Sequence, residues 1–532
     1  MTENKHLFIA DKLSEDALRI LKDAPFTVDN RPGLPPEEKK AALSKAHALI
    51  VRSETKVTKE LLDAAPKLEL IVRAGVGVDN IDVEAATRKG IVVQNIPDGN
   101  VRSAAEHTIG LLLALARNVP QGNLTMKEGK WERNKLLGVE VQGKVLGIVG
   151  LGKIGRHVAQ MANGLGFHTL AYDPYVAPRI AEDLNVELLS DLGHLIGRVD
   201  FLTVHVPSTA ATKKLIGDDL LRRAKPGLRI VNCARGGIID EVALLKALEE
   251  NRVAGAALDV FETEPPGLTP LVAHPRVIVT PHLGASTHEA QVNVAIAAAS
   301  QVMDYLLHRR LQSPVNAVVL DPELRERMQP YRELGLRLGR LQAQILEGNP
   351  VRLVIKYFGD IFDQQTQSYI SNSILEGFLE RRSVQPVNVI NCRALAGEQG
   401  LAVEERSEGK SRYFVNMLRV EVEDGAGKRE IGGTIRGRGG LRLVSLDSYH
   451  FDAVLEGNIL ISANRDKPGM IGVLGNVLAS EKINISNMSL GRDRTGGTAI
   501  ALLNVDEPVS HAVLEQLRSH EGILWAKAVN VE

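Results

Sequence analysis

Short apolar runs alternate with amphipathic stretches from residue 6 to about residue 310. His6–Ala10, Ala48–Val51 and Leu68–Val72 are apolar enough to be buried strands. Ser14–Lys22 and Lys59–Ala65 repeat at the helical period, and Arg31–Pro36 is a Pro-rich bend. A second series follows: Val145–Val149, Thr169–Asp173, Phe201–Pro207, Leu228–Gly237, Gly255–Val260 and a last strand opening at Val277. Such alternation predicts parallel sheets with crossover helices, an α/β fold. Between the two series, Asn100–Arg117 predicts a long helix apolar nearly all round, hence buried between domains or subunits. Trp131, in the basic stretch Lys127–Arg133, reads either as an interface anchor or as packing under a loop.

The pattern changes beyond Gln312–Asn316. Residues 317 to about 452 mix a strand (Val351–Phe358), a long helix (Gln365–Arg382) and hairpin-like runs (Arg412–Val422, Glu430–Leu446), an α+β arrangement. The C-terminal stretch reads βαββαβ: Asn458–Ala463, the helix Pro468–Ser480, Ile483–Leu490, Thr498–Asn504, a helix and a strand.

Composition narrows the function classes. A chain of 532 residues predicts three or four domains, and 4% aromatic content leaves Ala, Val, Ile and Leu to fill the cores. A net charge of −1 with mixed signs argues against nucleic-acid or membrane partners. Cys233 and Cys392 lie far apart, so no metal site is expected and a reducing, cytoplasmic setting fits. The polar N-terminus lacks a signal-peptide pattern, and Ile109–Ala116 is too short to span a bilayer.

The chemistry concentrates at predicted strand ends. The run Val145–Val149 breaks into Gly150-x-Gly152-x-x-Gly155 and then a helical pattern. That context predicts a dinucleotide site: a tight turn at Gly150, close backbone approach at Gly152, and helix–strand packing at Gly155. Asp173, at the end of the next strand, is placed to accept from a ribose hydroxyl, as NAD requires. Arg52-Ser53 and Arg73-Ala-Gly75-Val-Gly77 are loops whose arginines and glycine amides suit an anion, or else carry solvated arginines beside turns. Arg235, Glu264 and His282 each follow a strand end. Together they offer a guanidinium for a carboxylate, a base, and a carboxylate to orient that base.

With these motifs in view, the chain resembles the D-isomer-specific 2-hydroxyacid dehydrogenases. The resemblance rests on the glycine fingerprint, Asn232–Asp240, Leu258–Pro266 and Thr280–Thr287. Arg73–Asn80, Pro97–Asn100 and Gly129–Arg133 are similar to the branch that oxidises D-3-phosphoglycerate to 3-phosphooxypyruvate in serine synthesis. The resemblance implies two Rossmann-like doubly wound domains: a discontinuous substrate domain (1–98 and 287–316) around an NAD domain (99–286). An intervening domain (317–452) and a βαββαβ ACT domain (457–532) follow. It implies Arg235, Glu264 and His282 as the catalytic set. Lys153, Ile154, Asp173, Cys233, Asp259 and Gly284 would line NAD, and Arg52, Ser53, Arg73 and Asn100 would hold the phosphorylated substrate.

The resemblance also implies a homo-oligomer, a dimer through the Rossmann domains and then a tetramer, with L-serine as effector at Asn464, Asp466 and Asn484. The other reading of the tail is an assembly module. Arg442 and His450 mark an anion site in the intervening domain, or that domain is a spacer. Val76 and Val206 stand where close relatives often have Thr. The competing functions are a glyoxylate or hydroxypyruvate reductase and a non-catalytic NAD-sensing corepressor.

Overall fold

The structure, a computed structural model, describes residues 4–425, 427–437 and 439–532; Arg438, within the run Glu430–Leu446, lies outside them. Four sheets follow one another along the chain. The first comprises β1 (His6–Ile9), β2 (Thr27–Asn30), β3 (Ala48–Val51), β4 (Leu70–Arg73) and β5 (Val92–Asn95). Its order is β2-β1-β3-β4-β5, all parallel. All four residues of β3 are buried, which is why this strand reads as an unbroken apolar run. Helix α1 (Glu15–Lys22), capped by the Ser14 hydroxyl, covers one face.

Helix α2 (Val101–Arg117) leads into the second sheet: β6 (Val145–Val149), β7 (His168–Tyr172), β8 (Glu187–Leu189), β9 (Phe201–Val204), β10 (Leu228–Asn232), β11 (Val253–Leu258) and β12 (Val277–Val279). The order β12-β11-β10-β9-β6-β7-β8 makes the chain reverse direction between β6 and β9. Open α/β sheets bind ligands in the crevice beyond such a switch point, and helix α3 (Lys153–Gly164) starts there.

Helix α4 (His288–His308) then returns to the first sheet, burying Val294, Ala298 and Val302 against Leu7, Ile50 and Val72. The segment after it zips onto the edge of β5: Val315 N–H donates to Val93 O at 2.7 Å, and the Asn316 side chain binds both Val93 N–H and Ile91 O.

The third sheet is mixed: β13 (Pro350–Phe358), β14 (Ala402–Ser407), β15 (Met417–Asp424), β16 (Gly427–Arg436), β17 (Gly440–Leu446) and β18 (Tyr449–Val454). Helices α5 (Pro322–Ile345) and α6 (Gln364–Leu379) pack together beside it. The sequence pattern predicts α6 and the hairpins but neither α5 nor β14. Helix α5 is rich in charge and carries Pro330 in its interior, ordinarily a helix breaker costing about 3 kcal/mol. Burial of Leu334, Leu338, Leu341 and Ile345 on one face overrides it.

The last sheet, β19 (Asn458–Arg465), β20 (Ile485–Arg492), β21 (Thr498–Val505) and β22 (Ile523–Asn530), has order β20-β21-β19-β22 and is antiparallel throughout. Helices α7 (Met470–Ser480) and α8 (His511–Ser519) cover the face bearing Leu460. Ile459, Ile461 and Ala463, on the opposite face, join the core built around α5 and β13. One continuous hydrophobic core therefore spans the third and fourth sheets.

Candidate active site

The glycine fingerprint sits at the switch point. Gly150 turns the chain at φ +94°, and a Cβ there would stand 2.7 Å from the His205 carbonyl oxygen. A Cβ at Gly155 would stand 2.1 Å from Gly150 O, so α3 packs this close to β6 only without one. Gly152, at the start of α3, faces open space. Asp173 lies just beyond β7, its Oδ2 accepting from Leu151 N–H at 2.8 Å and its Oδ1 from Tyr175 N–H at 2.9 Å. An exposed glycine at a helix N-terminus with a carboxylate beside the loop fits a pyrophosphate and a ribose. Lys153 pairs with Asp98 across the cleft, and Ile154 is half-buried. Cys233 is buried, its thiol pushed up to about 12, so it packs in neutral form.

Asp259, among the residues expected to line NAD, packs behind the loop that follows β12. Its carboxylate is fully buried and lies within hydrogen-bond distance of His107 Nε2 (3.1 Å), Thr280 Oγ1 (2.6 Å), Leu283 N–H (2.7 Å) and Gly284 N–H (2.9 Å). Burial alone would raise its pKa, but the bonds from His107, Thr280 and Leu283 hold it below the ordinary carboxylate range. The two amides that turn inward follow His282 directly, so Asp259 and Gly284 anchor the loop that presents this histidine.

His282 itself adopts φ +56°, a left-handed conformation uncommon outside glycine. Its N–H donates to Asp259 O at 2.9 Å, and its Nδ1 lies 2.8 Å from Glu264 Oε2. Glu264 Oε1 accepts from Phe261 N–H at 3.2 Å. The imidazole is about half exposed, which leaves Nε2 as the ring nitrogen open to a substrate. Arg235 is held from β10: the Asn232 side chain donates to Arg235 O and accepts from Ala234 N–H. A Cβ at Gly236 would lie 1.8 Å from Phe261 O, so the loop carrying Arg235 rests directly on the one carrying Glu264.

The first sheet supplies the facing wall. Arg73 ends β4 with its Nε buried and unpartnered. Burial, with the neighbouring Arg235 and Arg52 charges, lowers its pKa to about 10, so it stays charged at neutral pH. Gly75 and Gly77, expected to bring amides to an anion, also leave room for side chains. Cβ atoms there would lie 1.4 Å from Arg73 Nη1 and 1.9 Å from Arg235 Nη2; the space is filled by guanidinium groups. Asn100, before α2, has a buried and unpartnered Oδ1. Arg52 donates to Lys12 O at 3.3 Å and borders a separate cleft beside α1 and α4, and Ser53 is exposed.

Two polar residues of this site carry little sequence signal. Asp79 accepts from Arg235 Nε at 3.0 Å across the cleft. His205, at the end of β9, is half-buried, with its Nδ1 shielded from solvent and without a partner. Trp131 is 79% exposed, so it does not pack under a loop; Leu124, Met126 and Leu137 are exposed on neighbouring segments.

The structure does not bring Asn464, Asp466 and Asn484 together within one chain. Asn464 pairs with Ala499, whereas Asn484 precedes Ile485, which pairs with Val505, itself opposite Asn458. Asn484 thus lies at the other end of the sheet, about 20 Å away at strand rise. Asp466 accepts from Gly496 N–H and faces Arg492, and the Asn484 amide donates to Asp506. Arg442 lies 3.6 Å from Asp452, and His450 is exposed.

Comparison with known proteins agrees with this fold. The profile of the D-isomer specific 2-hydroxyacid dehydrogenase NAD binding domain matches residues 109–284, that of the D-3-phosphoglycerate dehydrogenase intervening domain residues 327–447, and that of the ACT domain residues 458–522. The chain is 39% identical over 525 residues to D-3-phosphoglycerate dehydrogenase of Synechocystis sp., covering 99% of this chain and 94% of that one. For the Bacillus subtilis enzyme of the same name the identity is 36%, covering 99% of each chain. The chain belongs to the D-3-phosphoglycerate dehydrogenase family. Among solved structures, a glyoxylate reductase from Paecilomyes thermophila is similar at TM-score 0.55 and 27% identity, covering 59% of this chain and 99% of that one. D-lactate dehydrogenase from Aquifex aeolicus, complexed with NAD and lactic acid, is similar at TM-score 0.51 and 28% identity, covering 57% and 95%. Among the described residues, no helix is long and apolar enough to cross a membrane.

Proposed function

We infer that this chain oxidises D-3-phosphoglycerate to 3-phosphooxypyruvate with NAD, the first step of phosphorylated serine synthesis. The observation that carries the reading is one cleft holding both a His282–Glu264 pair and the guanidinium groups of Arg235 and Arg73. Gly150, Gly152, Gly155 and Asp173 would hold NAD, which supplies the hydride acceptor when bound. His282 Nε2 takes the proton of the C2 hydroxyl. Glu264 on Nδ1 fixes the tautomer and stabilises the imidazolium that results. Arg235 holds the substrate carboxylate and orients C2. Arg73, with its unpartnered Nε, takes the phosphate, supported by Asn100, and Arg52 adds its charge from the neighbouring cleft.

A glyoxylate or hydroxypyruvate reductase would use the same His–Glu pair but has no phosphate for Arg73. The deciding experiment is NADH formation from a panel of D-2-hydroxy acids. The expected result is a kcat/KM for D-3-phosphoglycerate far above that for D-glycerate; parity between the two overturns the reading.

The chain is further proposed to be a cytoplasmic homo-oligomer inhibited by L-serine. Opposite ends of one βαββαβ sheet meet only when two copies pair side by side. Asp466 of one copy would then share a serine with Asn484 of the other. Because β19 and β21 help build the core around α5, deleting the tail would unfold its neighbour. Asp466→Ala is therefore the cleaner test: it should weaken serine inhibition and leave KM for phosphoglycerate unchanged without serine. Undiminished inhibition would remove Asp466 from the effector site.

A further inference from the structure

Away from the cleft, a cavity of about 370 Å³ lies where the first sheet meets the intervening domain. One wall comes from Val92 on β5 with Tyr305 and Arg309 at the end of α4; the other comes from Arg325 and Arg332 on α5 and Tyr369 on α6. The linker through Val318 and Val319, with Ile390, supplies an apolar floor. Arg309 is ion-paired with Glu69 and stacks 5.0 Å over the Tyr305 ring. Arg332 lies 3.4 Å from Glu376. Arg325 projects from the first turns of α5 and, among the described residues, makes no side-chain hydrogen bond or ion pair.

We propose that this cavity binds a small organic anion. Its acidic group would meet the unpaired Arg325 guanidinium at the rim, and its apolar body would lie on Val318, Val319 and Ile390 between the two tyrosines. Three observations converge. The volume is that of a small-molecule site, which proteins place preferentially at domain interfaces. The lining mixes apolar side chains with Arg309, Gln329, Arg332, Asn372 and Asn388, so an amphipathic ligand finds both apolar and polar partners. The free charge is an arginine, whose planar fork suits a carboxylate or a phosphate equally. The walls belong to two bodies joined by the linker, so a bound anion contacts both and strengthens the joint.

The test is calorimetry of benzyl phosphate binding to the full-length chain saturated with NADH, with benzyl alcohol and inorganic phosphate as controls. Benzyl phosphate should bind with both controls at least tenfold weaker. Arg325→Gln should weaken it about tenfold, the scale of one charge-assisted contact. Val319→Trp, which fills the cavity, should abolish it. Arg73→Ala, in the catalytic cleft, should not change it. No binding, equal binding of either control, or binding lost in Arg73→Ala but kept in Arg325→Gln and Val319→Trp would each overturn the proposal. Retained turnover of D-3-phosphoglycerate by the Arg325 and Val319 variants shows that they fold, and keeps this outcome separate from that of the dehydrogenase reading.

Discussion

Asp79 and Arg235 face each other across the cleft, one from the loop after β4 and the other from the loop after β10, with Oδ2 and Nε 3.0 Å apart. Arg235 is the group assigned to the substrate carboxylate, and Asp79 carries the same chemistry as that carboxylate. It offsets the charge of a cluster in which Arg73 and Arg52 also stand, and it holds the Arg235 Nε–H that the proposed substrate carboxylate would compete for.

Asp79→Asn should therefore lower KM for D-3-phosphoglycerate several-fold with kcat little changed, because the competing charge is gone. Steady-state kinetics across a salt series checks this. A raised KM would mean that Asp79 orients Arg235 rather than competing for it.

His282→Asn should remove most turnover, roughly 10²–10⁴-fold for loss of a general base. NADH binding, followed by fluorescence, should be nearly intact because the fingerprint loop and Asp173, not this side chain, are proposed to hold the dinucleotide. Glu264→Gln should cost less and shift the acid limb of the pH profile downward, since the charge favouring imidazolium is removed. Near-normal turnover in the His282 variant would end the assignment.

Arg73→Ala should raise KM for phosphoglycerate by about tenfold or more, as expected for a charge-assisted contact worth about 1.5–3 kcal/mol. It should also narrow the preference over D-glycerate. Equal losses on both substrates would place Arg73 on the shared carboxylate.

Stability should fall on the acid side partly through His205. Burial lowers its pKa from 6.5 to about 4. Between those values the unfolded chain holds a proton that the folded chain lacks. The contribution is complete above about pH 6.5 and lost as pH falls toward 4, about 3 kcal/mol at most. Urea unfolding should show a shallower acid decline for His205→Gln, whose amide nitrogen keeps the Thr203 contact. Identical pH slopes would mean that His205 does not stay neutral in the fold.

The sequence by itself determined the local devices. Gly150, Gly152 and Gly155 between an apolar run and a helical pattern define a phosphate-binding turn, because only residues lacking Cβ allow those approaches. Arg235, Glu264 and His282 were legible as a set because each follows a strand end, and parallel sheets gather such ends along one edge. Helix α5 was not legible: its Arg/Glu-rich face and Pro330 argue locally against it, and only burial against α6 and β16 pays for the proline. Tertiary structure alone decided that Asp259 serves the His282 loop, that Gly75 and Gly77 clear space for two guanidinium groups, and that Asp79 meets Arg235. It also decided that Asn464 and Asn484 stand at opposite ends of one sheet. Each of these joins residues far apart in the chain or fixed by strand register, and no local period or motif encodes which distant carboxylate will find which distant cation.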